Sequence, residues 1–73
     1  MNQKGKIGQP IFKLGDRVQF KFENRLKTGT VEIVDRYGTF EQNEEPSYDV
    51  MSVHKGQPCL FKHIRESSLT KTT

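Results

Sequence analysis

Apolar and polar residues alternate with a period of two along most of the chain. In residues 17–22, RVQFKF, one valine and two phenylalanines alternate strictly with polar residues, which is typical of a strand with one buried face. Weaker versions of the same pattern predict strands at 27–35, 48–53 and 59–64, with a brief fifth strand at 70–72. No segment has the i, i+3, i+4, i+7 spacing of an amphipathic helix. The sequence therefore predicts an all-β fold.

The connections carry turn-forming residues. Residues 23–25 predict a hairpin loop, and residues 54–58 predict a tight turn because they contain glycine and proline. Residues 36–47 form a longer connection rich in glutamate. Residues 66–69 fit one short 3-10 turn, in which Leu69 acts as an apolar plug.

Four or five short strands leave exposed edges unless the sheet curls onto itself, so we expect a small barrel of antiparallel strands. Side chains at the alternating positions form the predicted core: Phe12, Leu14, Val18, Phe20, Phe22, Val31, Ile33, Tyr48, Val50, Leu60, Ile64 and Leu69. Residues 12–71 form the predicted domain. Residues 1–11 are predicted to be a flexible tail, since they hold little that can be buried, and residues 72–73 are predicted to fray.

Length and composition narrow the class of protein. A chain of 73 residues is one domain near the lower limit of size for a stable core. It has no apolar run near the roughly 20 residues that span a bilayer, and no apolar segment follows the charged N-terminus as in a secretory signal. Its single cysteine cannot form an internal disulfide, which favours a reducing, cytoplasmic setting. We expect no membrane association.

The formal net charge of +3 conceals an uneven distribution. Residues 1–30 carry a net charge of +5, residues 31–50 carry −5, and residues 51–73 carry +3. Ordinary solvated surface is one interpretation. The other is a molecule with one basic face, to which the predicted strand order would bring Lys21, Arg25, Lys27, Lys62 and Arg65.

Catalytic and metal-binding patterns are weak. His54, Cys59 and His63 could supply three metal ligands, but a structural zinc site takes four, with close paired spacings. Cys59 and His63 as a nucleophile and its base lack a third, orienting group. The acids Glu41, Glu44, Glu45 and Asp49 lie in and just after a loop that looks solvated, and they fit a weak cation site or simple solubility better than acid-base catalysis. We expect no metal, no cofactor and no enzymatic activity.

Three aromatic residues fall outside the predicted core. Tyr37 and Phe40 flank Gly38, and Phe61 faces away from Leu60 if the strand is regular. Near basic side chains, such aromatic residues can stack on bases or form a peptide-binding groove. Alternatively, they cover the open end of the barrel.

The order of these segments resembles a known plan. The segment FKLGDRVQF at 12–20 is similar to the opening of SH3-like barrels of the KOW and Tudor type, and TGTVEIV at 28–34 is similar to their second strand. The segment YDV at 48–50 and the closing IRESSL at 64–69 resemble the third strand and the 3-10 plug. The segments at 37–42, 45–50 and 60–64 also resemble short uncharacterised proteins of Gram-positive bacteria and their mobile elements. The resemblance implies the fold and no activity.

After catalysis and metal binding are set aside, two modes of binding stay open for this chain. One is a protein-binding module that acts through an aromatic groove or a sheet edge. The other is weak binding of RNA or DNA through the basic face. The sequence favours a protein partner, because six acids between Glu32 and Asp49 would oppose a polyanion.

Overall fold

A computed structural model describes residues 5–72, and it is an all-β structure with one 3-10 turn. The elements are β1 (Arg17–Phe22), β2 (Arg25–Asp35), β3 (Ser47–His54), β4 (Gln57–Arg65), the 3-10 turn η1 (Glu66–Ser68) and β5 (Thr70–Lys71). All strand pairs are antiparallel and form one sheet in the order β4-β3-β2-β1-β5. The predicted all-β class, the antiparallel strands and the short turn are confirmed, whereas the closure into a barrel stays a prediction. Residues 1–4 and 73 lie outside the described residues.

The sheet bends but does not close by strand pairing. Phe20 on β1 and Phe61 on β4 have ring centroids 5.2 Å apart, although two other strands lie between β1 and β4 in the sheet order. Within residues 5–72, β4 pairs only with β3, and β5 pairs with β1 only at Val18 and Gln19. The long outer edge of β4 is therefore left without a strand partner.

Two-residue turns connect both hairpins. Phe22 pairs with Arg25, and His54 pairs with Gln57. The intervening residues, Glu23 and Asn24 in one hairpin and Lys55 and Gly56 in the other, all have positive φ. Positive φ at both central residues is the type I′ pattern, whose twist matches that of the flanking strands.

Two β-bulges lie opposite Asp49 of β3, one on the neighbouring strand β2 and one on β4. On β2, Val31 pairs with Val50 while Ile33 pairs with Asp49, so Glu32 is an extra residue. On β4 the register also shifts opposite Asp49, between the partners of Tyr48 and Val50. An extra residue reverses the inward and outward alternation beyond it. Each bulge therefore changes which side chains of its strand reach the core.

The core lies on the concave face of the bent sheet. Its buried members are Phe12, Val18, Phe20, Val31, Tyr48, Val50 and Leu69, with Phe22, Val34, Phe61 and Ile64 partly buried against them. All but Val34 and Phe61 were predicted to be core residues.

Three residues that were predicted to be core residues are exposed or only half-buried. Ile33 lies beyond the β2 bulge and is 45% exposed, and Val34 packs against the core in its place. Leu60 is only half-buried, because Phe61 takes the inward position before the bulge in β4. Leu14 is 65% exposed, because it lies in the turn that Asp16 N closes on the Lys13 carbonyl at 3.0 Å.

The segment before β1 makes specific contacts that the prediction of a flexible tail did not anticipate. Gly8 N donates to the Arg36 carbonyl at 2.8 Å, and Lys6 forms a bridge with Gln9. Ile11 N donates to Glu66 Oε1 at 3.0 Å. Residues 5–11 are thus hydrogen-bonded to the body of the domain through main-chain donors.

Two buried glutamates hold this segment. Glu45 is 3% exposed, and its Oε1 accepts hydrogen bonds from Gly5 N at 3.2 Å and Ser67 N at 2.8 Å. Glu66 is 4% exposed, and its Oε1 accepts from the Tyr48 hydroxyl as well as from Ile11 N. The expectation of a solvated acidic cluster is therefore wrong for Glu45, because main-chain and hydroxyl donors replace its water. It is also wrong for Asp49, which is 4% exposed.

Candidate functional site

The main candidate site is a groove of about 570 Å³ between β1 and the free edge of β4. Its aromatic part is a cluster of rings in edge-to-face contact. The centroid of Phe61 lies 5.2 Å from that of Phe20 and 4.9 Å from that of Phe22. His54 extends the cluster, with its ring centroid 5.3 Å from that of Phe22. Cys59 and Ile64 also line the groove.

These rings form a groove because of the strand geometry. Phe20 and Phe22 are two residues apart on β1 and point to the same face. Phe61 and Ile64 are three residues apart on β4, and only the intervening bulge brings both to the core face. The groove therefore depends on an irregularity of β4 that alternation alone does not predict.

Basic side chains border the groove. Lys21, Lys62 and Arg65 line it directly. Lys27 Nζ lies 5.8 Å from the centroid of the Phe61 ring and donates to the Val53 carbonyl at 2.7 Å. Arg25 lines an adjoining depression together with Phe22 and Lys27. The five residues predicted to form a basic face thus lie on the groove or beside it.

Most of the acidic loop lies elsewhere. Glu41, Glu44 and Glu45 line a separate depression that shares only Arg65 with the groove. The groove itself has no Asp or Glu in its lining. Its local charge is therefore positive over the described residues, in contrast to the mixed surface that the sequence suggested.

The three aromatic residues proposed as one surface do not line one groove. Phe61 is in the groove and is half-buried. Phe40 is fully exposed and lines a different depression, next to Asp35 and His63. Tyr37 is 68% exposed and lies against Gly8, where an added Cβ would be 3.2 Å from its ring. Sequence reasoning assigned Phe20 and Phe22 to the core alone, so it missed their part in the groove.

The candidate metal and nucleophile residues are arranged differently from the sequence proposal. His54 packs edge-on against Phe22, and Cys59 is half-buried in the groove lining. Among residues 5–72, the one group of three potential ligands with all ligand atoms within 4.8 Å of one another is Asp35, Asp49 and His63. Of these, His63 belonged to the histidine and cysteine set considered from the sequence, and Asp49 belonged to the acidic set for which a weak cation site was one interpretation. Asp49 carried a signal that could have been used, since aspartate is depleted in strand interiors.

No helix in the described part of the chain is long and apolar enough to cross a membrane. Comparison of the sequence and the structure with known protein families, curated proteins and solved structures gives no match.

Proposed function

We propose that the chain is a non-catalytic binding module that holds an extended, acidic segment of a partner protein in the groove between β1 and β4. The observation that carries this proposal is the unpaired outer edge of β4 beside an apolar floor. In β-augmentation, main-chain hydrogen bonds to a free edge supply affinity, and alternate side chains of the peptide enter pockets. This groove has both the free strand edge and the apolar floor.

The chemistry of the groove selects the partner. Alternate side chains of an added strand would point toward Phe20, Phe22 and Phe61, where aromatic or branched apolar residues bury most surface. The other side chains would point away from the floor, within reach of Lys62 and Arg65. An extended peptide with acidic residues between apolar ones therefore fits best.

The sequence resemblance and the single cysteine add three expectations to this proposal. An SH3-like plan, a cytoplasmic setting and an origin in a bacterial mobile element agree with a small, single-cysteine binding module. They do not specify the partner.

A peptide-display selection tests the proposal. The intact chain is immobilised and used to select random twelve-residue peptides, and we expect enrichment of alternating acidic and apolar positions. Micromolar binding of a selected peptide should weaken at least tenfold with Lys62→Glu. Lys13→Glu makes the same charge change outside the groove lining and should leave binding unchanged.

The edge-pairing mode has its own control. Two copies of the selected peptide are N-methylated at alternate residues, one on odd and one on even positions. Only one set of amides can face β4 in a strand pair, so one copy should lose binding and the other should retain it. Equal effects of the two methylation patterns would contradict pairing with the β4 edge.

The alternative, weak nucleic-acid binding through the basic face, is measured by fluorescence anisotropy with single- and double-stranded oligonucleotides at 150 mM salt. We expect affinity in the range of non-specific association. Sub-micromolar binding that is lost with Lys27→Glu plus Arg65→Glu and kept with Phe40→Ala would favour a nucleic-acid module instead.

A further inference from the structure

A set of three potential metal ligands lies on the outer face of the sheet, and of the three only His63 also lines the groove. Asp49 on β3 is opposite both bulges, and Asp35 at the end of β2 and His63 on β4 lie on either side of it. One ligand atom from each of the three is within 4.8 Å of the other two. They are brought together by strand register, because they are 14 or more residues apart in sequence.

The Asp49 and His63 side chains differ in exposure in a way that suits a bound cation. The Asp49 side chain is only 6% exposed, whereas that of His63 is 59% exposed. Asp49 Oδ1 accepts a hydrogen bond from His63 N at 3.0 Å and lies 3.8 Å from His63 Nδ1. The buried carboxylate is therefore fixed by the bulge, while the imidazole can turn toward a ligand.

A second observation at the same place points to a missing partner. The Ser47 side-chain oxygen is buried and has no hydrogen-bond partner, the one such side-chain atom in residues 5–72. Ser47 pairs directly with Asp35, and it is two residues from Asp49 on β3. Cross-strand partners and residues two apart share a face, so Ser47 lies on the same face of the sheet as Asp35 and Asp49. Unsatisfied buried polar atoms are uncommon, and an ion is one of their explanations.

We propose that Asp35, Asp49 and His63 bind a divalent transition-metal cation of the zinc class, on the face of the sheet that also carries Ser47. Two carboxylates favour a divalent cation, and the imidazole favours zinc-class ions over magnesium or calcium. Ligands on tetrahedral zinc are about 3.4 Å apart for bonds of about 2.05 Å. The three ligand atoms lie within 4.8 Å of one another, so small side-chain rotations would bring them to this separation.

The site has room for an exogenous ligand. Asp35 and His63 also line a depression of about 420 Å³ with Thr39, Phe40 and Glu41. Three protein ligands around a cation leave a coordination position for water or another donor on that side. The fully exposed Phe40, which the sequence analysis singled out, lies at this opening.

Isothermal titration of the untagged chain with zinc chloride at pH 7.5 tests the site. We expect binding at one equivalent, weakened at least tenfold by His63→Gly and by Asp35→Asn. Glycine suits position 63 because the residue there has φ of 61°. His54→Gly removes the other histidine of the chain and should leave zinc affinity unchanged.

Circular dichroism of each variant confirms that the fold is retained, and the absorption of bound cobalt(II) gives a second readout that depends on the ligands. Absence of zinc binding up to millimolar concentration would overturn the proposal. So would binding that is lost with His54→Gly or Cys59→Ser and kept with His63→Gly, because the metal would then lie at the other candidate residues.

Discussion

At the scale of single residues, the Tyr48 side chain connects three separate parts of the chain. It is fully buried, its hydroxyl donates to Glu66 Oε1, and it accepts a hydrogen bond from Phe12 N at 3.3 Å. Its ring also packs edge-on against Phe12, with centroids 5.4 Å apart. One phenol thus joins β3, η1 and the segment before β1.

Burial raises the pKa of the Tyr48 phenol above its ordinary value, and the hydrogen bond to Glu66 raises it further. The unfolded chain loses this proton near pH 10, while the folded chain keeps it. The folded state therefore binds more protons above pH 10, and the free energy of unfolding falls as pH rises through that region. Below pH 10 both states are protonated, and the group adds no pH dependence.

The Tyr37→Phe variant isolates this effect, because the chain has two tyrosines. Between pH 8 and 12, we expect phenolate absorbance at 295 nm to rise only together with loss of the β-sheet circular dichroism signal. Phenolate absorbance near pH 10 in a chain that keeps its native spectrum would contradict the hydrogen-bonded, buried position of Tyr48.

At the scale of elements, the two hairpin turns are not optimal in sequence. Lys55 has φ of 54° and precedes Gly56 in the β3–β4 turn. Asn-Gly is the preferred pair for type I′ turns, so Lys55→Asn should raise the free energy of unfolding by about 0.5–1 kcal/mol, since asparagine tolerates positive φ better than lysine does.

Lys55→Ala is the matched control for this turn. It removes the same side chain without supplying a residue that favours positive φ, so it should stabilise the chain less than Lys55→Asn does. Urea unfolding monitored by circular dichroism measures both variants. Equal midpoints for the two would show that the turn conformation does not limit stability.

Strand positions could be predicted from the sequence because alternation and turn residues are local signals. The four long strands lie within about two residues of their predicted bounds, since a short strand with one buried face tolerates little else at its apolar positions. The bulges could not be predicted, because one extra residue changes no local composition. That is why Ile33 was placed in the core and Phe61 outside it.

The candidate site was predicted only in part for the same reason. The basic residues were identified because charged side chains are exposed in almost any register. The aromatic floor needed the bend of the sheet and the β4 bulge, which are properties of the whole sheet. The cluster of Asp35, Asp49 and His63 needed the register of three strands at once.

At the scale of the molecule, residues 5–11 act as part of the domain. Deletion of residues 1–11 removes the donors Gly5 N and Ile11 N from the buried carboxylates of Glu45 and Glu66. Hydrogen bonds to charged groups contribute about 1.5–3 kcal/mol each, so we expect the melting temperature to fall by about 10 °C or more.

A double-mutant cycle shows whether the loss acts through the carboxylates. The deletion and Glu45→Ala should be non-additive, because the second change removes a group that the first has already left short of a donor. Purely additive effects on the free energy of unfolding, or an unchanged melting temperature after deletion, would place residues 1–11 outside the folding unit.

The two outer edges of the sheet differ in length, and this difference limits how many further strands can pair with one copy of the chain. The free edge of β4 spans nine residues, whereas β5 at the opposite edge has two. Two copies that met edge to edge would join β4 to β4 in a closed pair related by a two-fold axis. Growth would stop there, because β5 is too short to template another strand. Within residues 5–72, the sheet therefore offers one long free edge, so a single added strand or one β4–β4 contact would occupy it.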